Sequence, residues 1–163
     1  MAVRYLHTQP GTFMLVGLLA GAVVFASVGY LKAQPGARWP AWTVAIVMAI
    51  LAWLFSSLTV EVNDREVRWH FGPGLWQHHI ALSDIEDVRI VRNKWWNGFG
   101  IRMRPGFRLY NVSGFDAVEL RLKTGDIRRI GTDDPQGLSA ALKSSIAAPA
   151  GTAFKSAASS RTS

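Results

Sequence analysis

TFMLVGLLAGAVVFASVGYL, residues 12–31, and WPAWTVAIVMAILAWLFSSLTV, residues 39–60, carry no charged side chain. Each is about the 20 residues that a helix needs to cross a hydrocarbon core of roughly 30 Å. The first run holds ten Leu, Phe and Val residues, which together favour insertion by roughly 3 to 6 kcal/mol. No ionised group opposes that gain. The pair therefore predicts a two-helix membrane hairpin over 12–60, to which the remaining chain is attached. A cleaved leader, with Arg4 as its basic flank, is the alternative for the first run. The length of the run, and a second uncharged run eight residues later, argue against cleavage.

Outward from the hairpin, residues 1–11 read as a short polar arm. The linker KAQPGAR turns through Pro35-Gly36, and Pro40 falls where a first helical turn tolerates its missing N–H. Tyr30, Trp39 and Trp42 gather at this end, as interfacial aromatics do. Small residues let helices approach in lipid. On this ground Gly17 and Gly21 are expected to meet Ala45, Ala49 and Ala52 within the hairpin. A dimer seam through Gly17 and Gly21 is the alternative, and a third reading is that Gly and Ala are simply common in such helices. Arg4, Arg65 and Arg68 outside the hairpin, against Lys32 and Arg38 in its loop, tip the orientation slightly toward cytoplasmic termini.

From Leu58 the pattern alternates. Val60, Val62, Val67, Trp69 and Phe71 recur at every second position on either side of Asn63-Asp64-Arg65, which is a β-hairpin signal. Further strands are expected at 76–82, 85–91, 100–104, 108–112, 117–123 and 127–131. Ile127 and Ile130 fall on opposite faces of the last, so a bulge or irregular end is expected there. Asp134 followed by Pro135 starts a helix, whose Leu138, Leu142 and Ile146 make one apolar stripe. Residues 147–163 are small and polar, and disorder is expected. The sum is a membrane hairpin followed, over 58–146, by a mainly-β domain of about seven antiparallel strands closed by a C-terminal helix.

FGPG at 71–74, LSDIEDVRIVRNKWWNGFGIR at 82–102, LYNVSGFDAVELRLKTG at 109–125 and IGTDDPQGL at 130–138 resemble the bacterial pleckstrin-homology-like family. Within it they resemble small membrane proteins with two transmembrane helices before one such domain. The resemblance implies an antiparallel β-sandwich or barrel and a cell-membrane address rather than a defined biochemical role. Eukaryotic domains of the same fold commonly read inositol phosphates with basic residues on the first hairpin loop. Here that loop offers Asn63, Asp64 and Arg65, one base and one acid, so that specificity does not carry over.

Composition narrows the partners. The chain has 163 residues, a formal charge of +7 and no cysteine, which excludes disulfides and thiolate metal sites. A basic balance points to nucleic acid or an anionic membrane surface. The hairpin favours lipid, and no nucleic-acid-binding motif accompanies the charge. Residues 88–115 hold no acid. They offer Arg89, Arg92, Lys94, Arg102 and Arg104 with Trp95 and Trp96 as a membrane-surface contact, since basic groups near an anionic leaflet contribute about 1 kcal/mol each. The alternative is that Trp95 and Trp96 fill the core while the arginines form a solvated face. His78 and His79 are adjacent and point to opposite faces of a strand. Asp84, Glu86 and Asp87 read as turn and cap chemistry. No phosphate loop, nucleophile elbow or metallopeptidase motif occurs, so no enzyme, cofactor or metal is expected. Two functions remain open: a membrane-proximal module for lipid or membrane-protein contact, and a structural protein that self-assembles into homo-oligomers.

Overall fold

The computed structural model describes residues 2–32, 39–93 and 100–147. Strand β1 (Val3–Pro10) runs through Gly11 into helix α1 (Thr12–Lys32), and helix α2 (Trp39–Leu54) returns through Phe55-Ser56 into strand β2 (Ser57–Asn63). β1 and β2 are antiparallel neighbours, with Pro10 opposite Ser57 and Thr8 opposite Thr59. The helical pair is thus the connection between two paired strands. The stretch read as a polar arm is an edge strand. Its inward positions carry polar groups, and these find partners far along the chain. Tyr5 donates to Asp134 at 3.2 Å, His7 meets Asp133 at 2.6 Å, and the Gln9 amide donates to the Ser113 carbonyl at 2.9 Å.

α1, with 21 residues, is long and apolar enough to cross a bilayer. The second apolar run is helical for 16 residues only, roughly 24 Å, because Ser57 to Val60 are captured by pairing with β1 and with β3. The helices pack through Ala22 and Gly29 of α1 and Ala45 and Ala52 of α2, all buried. Gly21 stands against Met48, whose methyl group occupies the place of a Cβ. Gly17 and Ala49 do not join this seam. Both are exposed, and a Cβ on Gly17 would meet no atom within 4 Å. The face of α2 is centred on Ala45, Met48 and Ala52, which turns Ala49 outward.

Strands β3 (Glu66–Phe71) and β4 (Leu75–Ala81) complete a four-stranded sheet in the order β1-β2-β3-β4. A 3-10 turn at Leu82–Asp84 leads to β5 (Ile85–Arg92), β6 (Gly100–Arg104), β7 (Phe107–Asn111), β8 (Asp116–Leu122) and β9 (Ile127–Gly131), a second sheet ordered β5-β8-β9-β7-β6. The described strands number nine rather than about seven, and the second sheet is mixed, because β9 inserts beside β7 in parallel. The expected irregularity in β9 is absent: its register on both neighbours is continuous, with Ile130 in the core and Ile127 on the opposite face.

The sheets enclose Leu58, Val60, Val62, Val67, Val118, Leu120 and Ile130. Trp69 and Phe71 close on Tyr110 of the other sheet, with Trp69 edge-on at 5.1 Å. Helix α3 (Pro135–Ala147) starts where Asp134 accepts from the Gly137 N–H at 2.9 Å, and it buries Leu138 and Leu142. Its buried face continues to Ser145, leaving Ile146 39 % exposed, so the apolar stripe is one turn shorter than its spacing predicts.

Two glycines fasten the helices to the sandwich. Gly11 donates to the Ser56 carbonyl at 2.7 Å, and a Cβ there would overlap the Phe55 carbonyl oxygen. Gly72 has φ +46°, and its Cβ would stand 2.5 Å from the Leu54 carbonyl oxygen. Gly72→Ala is expected to lower the stability of the full chain in detergent by about 1–3 kcal/mol. Gly17→Ala is expected to stay within about 0.5 kcal/mol. Thermal unfolding of the two variants beside the parent checks both.

Candidate membrane-facing surface

A chain of contacts defines which end of the sandwich bears the helices. Gln9, three residues before α1, bonds Ser113 in the β7–β8 turn, and the Asn111 amide donates to the Gly114 carbonyl at 3.0 Å. Phe115 in turn accepts from the Asn93 N–H at 2.6 Å, and Gly100 pairs with Asn111. The β3–β4 turn at Gly72 abuts the last turn of α2. Two described loops, 72–74 and 112–115, therefore meet the helical base, and Asn93 and Gly100 stand beside the second. The opposite end carries the Asp64 turn, Leu82–Asp84, Gly106 and Gly125.

This geometry separates the basic residues that the sequence groups together. Arg92 lies at the helix-bearing end, beside Asn93. Arg89 is one turn of the pleat farther back and donates to Asp87 at 2.6 Å, and that hydrogen bond holds the Asp87 carboxyl below its ordinary range. Arg102 and Arg104 sit on β6, at the other edge of the sheet from β5. Four strand spacings divide Arg89 from Arg102, roughly 19 Å along the sheet. Arg104 is also carried roughly 14 Å from Gly100 toward the far end. Lys94, Trp95 and Trp96 lie outside the described residues. Of the described members, Arg92 is the one placed to meet a surface at the helical base.

Sequence reasoning missed Arg129. It donates to Glu119 at 2.7 Å and to the Asn93 side-chain oxygen at 3.2 Å, and its guanidinium lies 5.1 Å from the centre of the Phe107 ring. It ties β8 and β9 to the start of the β5–β6 connection. Only the Glu119–Arg129 register, a tertiary feature, reveals it.

The outer face of the four-stranded sheet holds a shallow depression of about 450 Å³ lined by Thr59, Glu61, Glu66, Arg68, His70 and His79. Arg68 and Glu66 neutralise each other at 2.6 Å. Among the described residues no three His, Asp or Glu side chains converge as metal ligands. His79 stands beside Arg68 on this face, whereas His78 turns inward to Trp69 and Tyr110, at 5.7 and 4.8 Å between ring centres. Burial, then the Arg108 charge and then His79, push the His78 imidazole below its ordinary value.

A depressed imidazole takes up a proton less readily folded than unfolded. Its stabilising contribution is therefore whole above the ordinary value of about 6.5 and is lost as pH falls below it. His78→Phe is expected to flatten the fall in unfolding temperature between about pH 7 and pH 5 relative to the parent, read by thermal scans across that range. No protein-family model matches the chain, and no curated protein matches it either.

Proposed function

We propose that the chain is an integral membrane protein whose two helices both cross the bilayer. Its sandwich is then a non-catalytic pleckstrin-homology-like module held at the cytoplasmic surface to engage anionic headgroups or a membrane protein. The observation that carries this reading is the β1–β2 pairing. The strand before α1 and the strand after α2 lie side by side, so both helix flanks occupy one side of any membrane. If α1 crosses, α2 brings the chain back. The outward surface of the pair supports this: Phe13, Val23, Val24, Ile46, Ile50 and Trp53 are all about half exposed or more, an uncovered apolar area that a water-soluble protein seldom presents.

Two facing sheets closed at one corner by a C-terminal helix suit the pleckstrin-homology-like assignment. The additional strand β1 and the parallel β7–β9 pair are this chain's departures from it. The basic flanks Arg4, Arg65 and Arg68, three against Lys32 and Arg38 in the loop, tip the balance slightly to the cytoplasmic side. Arg92 then faces the anionic leaflet from the helical base. Self-assembly is the second reading, favoured by Gly17, whose bare backbone faces outward and leaves room for a second helix.

Reporters fused before Val3 and after Ser163 are expected to fall on the same, cytoplasmic side. Reporters on opposite sides would overturn the two-span reading. Arg92→Glu in reconstituted full chain is expected to weaken recruitment of anionic lipid, costing about 1 kcal/mol per charge removed. Equal lipid preference in parent and variant would leave protein assembly as the role, which cross-linking in intact membranes then reads directly.

A further inference from the structure

Trp76 is the described non-glycine residue with a left-handed backbone, at φ +54°. For a bulky side chain that conformation is an outlier. Its cause is visible in the register. Phe71 faces Leu75 and Trp69 faces His78, so Trp76 and Gln77 together oppose His70. This is a β-bulge in which glycine usually fills the left-handed position without strain. Here the position carries a tryptophan that is 55 % exposed and whose ring lies 5.8 Å from that of Phe55. Phe55 is the residue joining α2 to β2. The same turn holds Gly72 against the Trp53 and Leu54 carbonyls, so Trp76 lies level with the last turn of α2.

α2 is short for its task. Sixteen residues span roughly 24 Å, against a hydrocarbon core of roughly 30 Å. A short span is matched by bringing flanking residues into the interface. At one end Tyr30, Trp39 and Trp42 are exposed, and at the other Trp53 and Trp76. Both sets present the ring type that prefers the headgroup layer. The exposed apolar surface of the helices thus continues, through Trp53 and Phe55, onto the β3–β4 turn.

We infer that the β3–β4 turn is a second membrane contact, in which the bulge at Trp76 aims its indole into the headgroup–acyl boundary and sets the tilt of the sandwich on the bilayer. This rests on the membrane reading above and adds a contact made by neither the helices nor the basic block. The bulge re-aims the side chain, the Phe55 ring supports it, and Gly72 fixes the turn to α2 so that the depth of one determines the depth of the other.

The chain has no native cysteine, which makes single-site labelling clean. Pro73→Cys, exposed in the same turn, is labelled with a fluorophore in the reconstituted full chain, and Val23→Cys reports the middle of α1. The expected result is that the label at 73 is quenched by lipids carrying a nitroxide near the headgroup and shielded from an aqueous quencher. Adding Trp76→Gly should then shift it to aqueous quenching. Glycine suits the left-handed position, so that variant keeps the fold, and an undiminished unfolding temperature confirms it. If the label at 73 is aqueous in both backgrounds while Val23→Cys is lipid-quenched, the turn inference is overturned and the membrane reading stands. If the Val23→Cys label is aqueous too, both fall.

Discussion

The pairing of β1 with β2 is the constraint on which the rest depends. Strands joined through two helices and a linker would ordinarily be free to separate. Here the backbone hydrogen bonds from Pro10–Ser57 outward bring the base of α1 and the base of α2 together. The glycines at 11 and 72 then let carbonyls of the α2 terminus approach backbone directly, where any side chain would hold them apart. The helices are consequently continuous with the sheet, with no flexible tether between them.

That continuity gives the sandwich a defined polarity. Loops at the helical base are drawn from both sheets, tied by Gln9 to Ser113 and by Asn93 to Phe115. The far end carries the exposed ion pair of Arg4 with Asp64 at 2.6 Å. Position along this axis, more than charge alone, decides which residue stands beside the helical base. It selects Arg92 and Trp76 and removes Arg104.

The ionic surface fits the same division. Arg89, Arg68 and Arg129 are each engaged by a carboxylate on their own or a neighbouring strand. The exposed Arg89–Asp87 pair contributes little to stability, whereas Arg129 and Glu119 are partly buried, and all three pairs cancel local charge. Arg92 stands opposite Asp116 in the β5–β8 register, while Arg102 and Arg104 lie on β6 at the other edge of the second sheet. The basic block of the sequence is thus several separate features in space.

Much of the fold was legible in the residues themselves. Uncharged runs of helix length, alternating strands from Val60 to Phe71, and the Asp134-Pro135 helix start each follow from local physics: desolvation, side-chain period and capping. Three things were decided only in the tertiary structure. Strand β1 was hidden because its inward residues are polar and become acceptable only beside Asp133, Asp134 and Ser113. The end of α2 at Leu54 was hidden because Ser57 to Val60 are apolar enough for a span and were claimed by two neighbouring strands. The division of the arginines was hidden because sheet order places β5 and β6, consecutive in sequence, at opposite edges. Local pattern determines what an element is. Which elements become neighbours depends on hydrogen-bond partners and packing that lie far away along the chain.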